Sequence, residues 1–161
     1  MIDLTSVALP LPLIGEFDVL VALSVAAVLG MLLGLERSIA GKQAGMRTYA
    51  LVSLGSSLFT ICGTLASYEL ASFSGINPLQ IAGSIVIGIG FIGAGLSTLR
   101  GEHAELTTAA GIWLAAGIGM AAGLGLYLLA AGATVLGLII FSLFLKVENA
   151  VRRKYETSAE Q

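Results

Sequence analysis

No charged side chain occurs in residues 106–145, whose sequence is LTTAAGIWLAAGIGMAAGLGLYLLAAGATVLGLIIFSLFL. As one helix it would be about 60 Å long, twice a bilayer core of about 30 Å. The chain therefore has to reverse, and Gly123-Leu124-Gly125 is the favoured place because glycine tolerates the backbone angles of a tight turn. Two membrane helices are predicted here, near Thr107 to Ala122 and near Leu126 to Leu145.

Outside this stretch, charged residues divide the chain into three further apolar runs, each about long enough to cross a bilayer. They are Val19 to Leu35, Thr48 to Tyr68 and Leu79 to Leu99. Asn77-Pro78 is typical of an N-cap followed by proline at the first helical position. With 57% hydrophobic and 11% charged residues, the chain is predicted to be all-α, a polytopic transmembrane bundle of about five spans. The expected divisions are an external tail at 1–18, a membrane domain at 19–146 and a short cytoplasmic tail at 147–161.

The basic residues favour one orientation in the membrane. With five spans, all eight Lys and Arg fall on the same side. The positive-inside rule then predicts an outer N-terminus and a cytoplasmic C-terminus (N-out/C-in). Tyr49, Tyr68 and Tyr127 lie near predicted helix ends, where an interfacial aromatic belt is expected.

Catalytic chemistry has little support in the sequence. No Ser or Cys stands beside a positioned His, and no pair of carboxylates lies within a predicted span. The single cysteine, Cys62, excludes an internal disulfide and is interpreted as a packing residue. We expect a protein that is not an enzyme and that binds no nucleic acid.

Small residues predict close contact between the helices. Gly88 to Gly93 matches the dinucleotide pattern G-x-G-x-x-G, but it lies inside a membrane span, so helix packing is the favoured interpretation. The predicted packing glycines are Gly30, Gly34, Gly88, Gly90, Gly93, Gly95, Gly119 and Gly123. A parallel homodimer through faces that include Gly90 or Gly119 is expected, since such ridges allow close backbone approach.

The most charged segment is GLERSIAGKQAGMRT, residues 34–48. One interpretation is that its charges only snorkel and set topology. The other is a cytoplasmic-face site, with Glu36 as the carboxylate and Arg37, Lys42 and Arg47 contacting an anion or a partner. Because the helix dipole disfavours a carboxylate at a C-terminus, Glu36 needs a cation; Arg47 is the first choice and Arg37 the second. The predicted site comprises Glu36, Arg37, Lys42, Gly45, Arg47, Thr48, Thr107, Thr108 and Trp113.

A second inner loop, Arg100 to Thr108, contains Glu102, His103 and Glu105. Mg²⁺ prefers carboxylates and water to imidazole, so metal ligation by this loop is a weak hypothesis. No metal site and no cofactor are predicted, with Mg²⁺ left as a possibility. Thr107 or Thr108 is expected to cap the fourth helix.

These residues resemble the MgtC/SapB family in two blocks. The first is Gly34 to Arg37 with Lys42, Gly45, Arg47 and Thr48; the second is GIGFIGAG at 88–95 followed by Leu106 to Ala110, Trp113 and Gly117 to Tyr127. The resemblance implies a multi-pass protein of the bacterial inner membrane, linked to growth at low magnesium and, in intracellular pathogens, to virulence. Many members carry an ACT-like cytoplasmic domain, whereas few residues follow Leu145 here, which indicates a short form.

Three functions remain open on this basis. The first is a non-enzymatic regulator of other inner-membrane proteins, such as the proton-translocating ATP synthase, which the resemblance implies. The second is a transporter or channel for Mg²⁺ or another small solute, which requires acidic or carbonyl ligands along a path. The third is a membrane protein that binds anionic lipid through Arg37, Lys42, Arg47, Arg100 and Lys146.

Overall fold

The computed structural model describes residues 15–69, 78–98 and 106–159. In those residues the chain forms helices joined by short turns, which confirms the all-α prediction. The helices are α1 (Glu16–Ile39), α2 (Met46–Glu69), α3 (Pro78–Thr98), α4 (Leu106–Gly123) and α5 (Tyr127–Ala159). By length and composition α1, α2 and α4 could each cross a membrane, and α3 and α5 contain the shorter apolar segments Gln80–Gly95 and Tyr127–Leu143.

Helix α4 lies at the centre of the bundle, where it contacts each of the other four helices. Helix α1 packs along α2 and also touches α5, while α3 lies at the edge against α4 and α2. The buried core is built from Leu33, Tyr49, Ile112, Ala115 and Ile118, among others. Many large apolar side chains point outward, as expected of helices surrounded by lipid.

Two glycines with positive φ end α1 and α4 in the same way. Gly41 has φ 68° and Gly125 has φ 75°. After α4, the N–H of Leu126 donates to Ala121 O at 2.9 Å and that of Gly125 to Ala122 O at 2.9 Å, which is a Schellman motif. The predicted reversal at Gly123 to Gly125 is confirmed.

Hydroxyl side chains within the helices bond back to their own backbone. Thr60 Oγ1 donates to Ser56 O at 2.8 Å, and Thr64 Oγ1 donates to Thr60 O at 2.8 Å. Since lipid offers no hydrogen-bond partners, such bonds let a helix as rich in Ser and Thr as α2 lie in a bilayer.

Some predicted boundaries differ from the structure. Helix α1 begins at Glu16, before the predicted Val19, and its first turn is stabilised by a bond from Gly15 N to Asp18 Oδ2 at 3.2 Å. Helix α5 continues unbroken through the predicted boundary at 146 to Ala159. Helix α3 begins at Pro78 as predicted, while Asn77 lies outside the described residues. The N-out/C-in orientation stays a prediction.

Candidate functional site at the turn between helices 1 and 2

The turn between α1 and α2 is held by Ser38, a residue that the sequence interpretation did not single out. Its hydroxyl donates to Gly34 O at 3.1 Å and accepts from Met46 N at 3.0 Å. Ser38 therefore satisfies the first amide of α2 in the way that an N-cap would. A Cβ on Gly45 would collide with this hydroxyl, which explains a glycine at that position.

Arg37 lies buried at the C-terminal end of α1. Its Nε donates to Glu36 Oε2 in an ion pair, and its Cζ lies 3.8 Å from the centroid of the Phe141 ring. Its Nη2 is buried with no hydrogen-bond partner among the described residues. The guanidinium is thus stabilised by a carboxylate on one side and by an aromatic face from α5.

The structure corrects the predicted partner of Glu36. Arg47, the first choice, is exposed, and the cation that pairs with Glu36 is Arg37. Adjacent positions on a helix point about 100° apart. The two side chains are nevertheless long enough for Arg37 Nε to reach Glu36 Oε2.

Tyr49 joins this site to α4. Its side chain is fully buried, and its hydroxyl donates to Thr108 O at 3.3 Å. The same hydroxyl occupies the space in which a Cβ on Gly111 would lie, and Phe141 Cζ approaches that position to 2.6 Å. Placement of Tyr49 in an interfacial aromatic belt was therefore wrong, whereas Tyr127 is 38% exposed.

Four helices thus meet in one cluster, which we call the Arg37 cluster. It comprises Glu36 and Arg37 of α1, Tyr49 of α2, Thr108 and Gly111 of α4, and Phe141 of α5. Its polar side-chain groups are the charged pair and the hydroxyls of Tyr49 and Thr108. This arrangement fixes the end of α1 against α4 and α5.

The other predicted site residues lie outside this cluster. Thr107 and Arg47 are exposed, Thr48 is partly buried, and Trp113 is 56% exposed on the outer surface of α4. Lys42 contributes its backbone, whose N–H donates to Arg37 O at 2.9 Å and closes the α1 terminus. Helix α4 already includes Leu106, so neither Thr107 nor Thr108 is its N-cap, contrary to the prediction.

Four of the predicted packing glycines lie at close helix contacts. A Cβ on Gly30 would lie 2.6 Å from Ser53 Cβ, and one on Gly34 would lie 2.8 Å from Tyr49 Cβ. On α4, a Cβ on Gly119 would collide with Ser53 O, and one on Gly123 would lie 2.7 Å from Ser57 O. We call this line of contacts, in which α2 passes between α1 and α4, the glycine seam.

The glycines of α3 behave differently. Among the described residues, a Cβ on Gly88, Gly90 or Gly95 would meet no atom within 4 Å, and one on Gly93 would lie 3.5 Å from Ala109 Cβ. The role of Gly88, Gly90 and Gly95 in helix packing therefore stays a prediction. Gly119, by contrast, is buried inside the bundle and is not available to an outside partner.

The described residues contain no group of three or more His, Cys, Asp and Glu side chains placed to hold a metal ion. Arg100, Glu102, His103 and Glu105 lie outside those residues. The only acidic side chain of the Arg37 cluster, Glu36, already pairs with a cation.

One family pattern covers the Glu36–Arg37 pair, the glycine seam and the glycine-rich residues 88–95. The sequence pattern of the MgtC family matches residues 23–150. The chain belongs to the MgtC family. It is 38% identical over 130 residues to "Putative magnesium transporter YhiD" of Escherichia coli, covering 79% of this chain and 60% of YhiD.

Other members of the family show similar identity over shorter stretches. Protein SapB of Bacillus subtilis is 37% identical over 100 residues, covering 60% of this chain and 43% of SapB. Protein MgtC of Brucella abortus is 38% identical over 111 residues, covering 68% of this chain and 44% of MgtC. The chain thus spans 43% to 60% of the length of these three relatives. No solved structure matches it.

Proposed function

We propose that this chain is a non-enzymatic regulator in the bacterial inner membrane that supports growth when magnesium is limiting. In this proposal it acts by contact with other membrane proteins, such as the proton-translocating ATP synthase, and not by moving Mg²⁺ itself. Membership of the MgtC family supports the link to magnesium. The Arg37 cluster favours regulation over transport.

The observation that carries this choice is the pairing of Glu36 with Arg37 in a buried position. A Mg²⁺ site needs carboxylate or carbonyl oxygens that are free to coordinate the ion and its waters. Glu36 is instead neutralised by a guanidinium, and a dication beside Arg37 would be repelled. The charged motif therefore fits a role in fixing the shape of the cytoplasmic end of the bundle, which a partner protein could recognise.

Self-association is also part of the proposal, now through the face of α3 alone. The glycines of α3 leave its outer surface open to close approach by another helix, which is how membrane helices associate. A parallel homodimer would therefore use the face of α3 that contains Gly90, because Gly119 is buried in the glycine seam. Gly90→Leu is expected to weaken a dimer measured by light scattering in detergent, with Gly117→Leu as the control.

A second candidate function is Mg²⁺ transport, which the name of the relative YhiD favours. It requires a polar path across the bundle, with ligands that replace part of the hydration shell of the ion. The buried residues of the described bundle are mainly Ala, Ile and Gly, and they include no carboxylate; their hydroxyl side chains are those of Ser53, Ser56, Ser57, Thr60, Thr108 and Thr134, besides Tyr49. The two candidates give opposite results in a flux measurement.

The purified protein is to be reconstituted into liposomes that contain a Mg²⁺-sensitive dye, with an inward Mg²⁺ gradient. A regulator predicts influx equal to that of protein-free liposomes, while the same gene restores growth of a deletion strain at low Mg²⁺. Glu36→Gln and Arg37→Gln should lose this rescue at normal membrane abundance, while Arg47→Gln, which removes an exposed arginine, should keep it. Influx well above that of empty liposomes, abolished by Glu36→Gln, would establish transport instead.

A further inference from the structure

A cleft of about 980 Å³ opens between α2 and α3. Leu51, Phe59 and Cys62 line it from α2, and Ser84, Gly88 and Ile92 line it from α3. The cleft is closed at one end, where a Cβ on Gly63 would collide with the side chain of Ile81. Farther along, a Cβ on Gly55 or Gly88 would meet no atom of the described residues within 4 Å, so the two helices are farther apart there.

The cleft is somewhat longer than one leaflet of a bilayer core. From Leu51 to Gly63 the wall of α2 rises about 18 Å. Half of a bilayer core is about 15 Å, which is the depth that the acyl chain of a lipid reaches from its headgroup. The open end of the cleft lies toward Met46, where α2 begins, and its closed end at Gly63 lies past the middle of α2.

Among the described residues, the cation of α2 at the open end is Arg47. One face of α2 carries Leu51, Gly55 and Phe59, which are spaced by four residues. Arg47 lies on the same face, one turn before Leu51. Arg47 is exposed and lies in the first turn of α2, at the height expected of headgroups. An apolar wall that ends in an exposed guanidinium is complementary to an acyl chain that ends in a phosphate.

The shape of the cleft disfavours a helix as its occupant. A helix with its side chains is about 10–12 Å wide along its whole length. The cleft narrows to direct contact at Gly63 and Ile81, so a helix that fits the open end could not continue to the closed end. An acyl chain is thinner than a helix, and its terminal methyl group can lie where the cleft closes.

We propose that the cleft between α2 and α3 binds an acyl chain of an anionic phospholipid, with Arg47 contacting the phosphate of its headgroup. This inference does not depend on the regulatory function proposed above. It assigns Arg47, which does not pair with Glu36, to the headgroup, and it assigns the open face of Gly88 to the acyl chain.

Cys62 provides a probe inside the cleft, because it is the single cysteine in the sequence and is exposed. A bimane label on Cys62 is to be followed in vesicles that contain phosphatidylglycerol or phosphatidylcholine with equally brominated acyl chains. Bromine quenches the label on contact. The expected result is a preference for phosphatidylglycerol of about fivefold in relative affinity, the size of one basic residue at an anionic surface.

Two pairs of variants test the two ends of the cleft. Arg47→Gln should reduce the preference to about one, while Lys42→Gln, which removes a basic residue of the same segment, should keep most of it. Gly88→Leu should reduce quenching by both lipids because the new side chain fills the cleft. Gly117→Leu introduces the same residue at an open glycine of α4 and should leave quenching unchanged. Gly55→Leu, on the opposite wall, repeats the filling test should Gly88→Leu fail to fold.

Three results would overturn the proposal. The first is an unchanged preference in Arg47→Gln, and the second is equal quenching in the filling variants and in Gly117→Leu. The third is rapid disulfide formation between Cys62 residues of two unlabelled copies in vesicles, which would place a second copy of this chain in the cleft.

Discussion

Helices α3 and α4 are both rich in glycine, yet their glycines meet different surroundings. On α4, Gly119 and Gly123 lie against the backbone of α2 at Ser53 and Ser57, whereas on α3 a Cβ on Gly88 or Gly90 would meet nothing within 4 Å among the described residues. The spacing of small residues thus indicates where a helix can be approached closely. It does not indicate whether the approaching surface belongs to the same chain, and a smooth face on an outer helix is left for lipid or for another protein.

The largest effect that separates the two regions is expected at Gly119. Gly119→Leu should lower the free energy of unfolding in detergent by about 3 kcal/mol or more, because even a Cβ would collide with the Ser53 carbonyl oxygen. Gly117→Leu, two positions away on the same helix and open at its Cβ position, should be tolerated. Thermal unfolding of the two variants in the same micelle measures the difference. Equal stability would mean that α2 and α4 do not touch as described.

The next largest effect is expected in the Arg37 cluster. Glu36→Gln leaves Arg37 buried without its counter-charge and should cost about 2–3 kcal/mol, less than the 3–5 of a fully buried pair. The reduction follows from the Glu36 side chain, which is 19% exposed. Arg37→Gln should cost less, since the carboxylate left behind reaches water.

A double-mutant cycle isolates this interaction. The combination of Glu36→Gln with Arg37→Gln should be less destabilising than the sum of the single changes by about 1 kcal/mol or more. Arg47→Gln combined with Glu36→Gln should be additive, because Arg47 is exposed and is not the partner of Glu36. Coupling between Glu36 and Arg47 of the same size would restore the pairing expected from sequence.

A smaller effect is expected at Tyr49, where only one hydroxyl is at stake. Tyr49→Phe removes the bond to Thr108 O and should cost about 1 kcal/mol, with the ring and its packing retained. Tyr127→Phe is the matched control, since Tyr127 is 38% exposed. It should change the free energy of unfolding by no more than about 0.5 kcal/mol. A Tyr49→Phe variant as stable as the wild type would show that the 3.3 Å contact contributes little.

The helices and their turns were predictable because they follow from charge placement and glycine. The absence of charge between Glu105 and Lys146 required a reversal, and Gly125 adopts the positive φ that the reversal needs. Pro78 begins α3 as its fixed φ favours. Each of these signals depends on a few neighbouring residues, so it can be recognised in a single sequence.

The contacts of the candidate site were not predictable for the converse reason. Phe141 lies in a helix whose residues are apolar on almost every side, so periodicity does not reveal which residue faces the bundle. Tyr49 near a helix end fits an interfacial position as well as a buried one, and only the tertiary arrangement places its hydroxyl beside Gly111. Ser38 could not be recognised from the sequence. Its hydroxyl accepts from Met46 N, eight residues later, and no sequence motif has that spacing.

The smallest effect is expected inside the glycine seam itself, at Ser53 and Ser57. Their hydroxyl oxygens are buried with no hydrogen-bond partner among the described residues, although their backbone carbonyl oxygens lie at the close contacts with Gly119 and Gly123. Removal of a hydroxyl that has no partner loses no hydrogen bond, and removal of a buried unsatisfied oxygen can stabilise the folded state. Ser53→Ala and Ser57→Ala should therefore change the free energy of unfolding by less than about 0.5 kcal/mol, in either direction. Thr60→Ala, at a hydroxyl that does bond to Ser56 O, is the comparison and should be the more destabilising. A loss at Ser53→Ala as large as that at Tyr49→Phe would mean that the hydroxyl has an acceptor in the membrane, such as a buried water, and that the seam is wetter than its backbone contacts indicate.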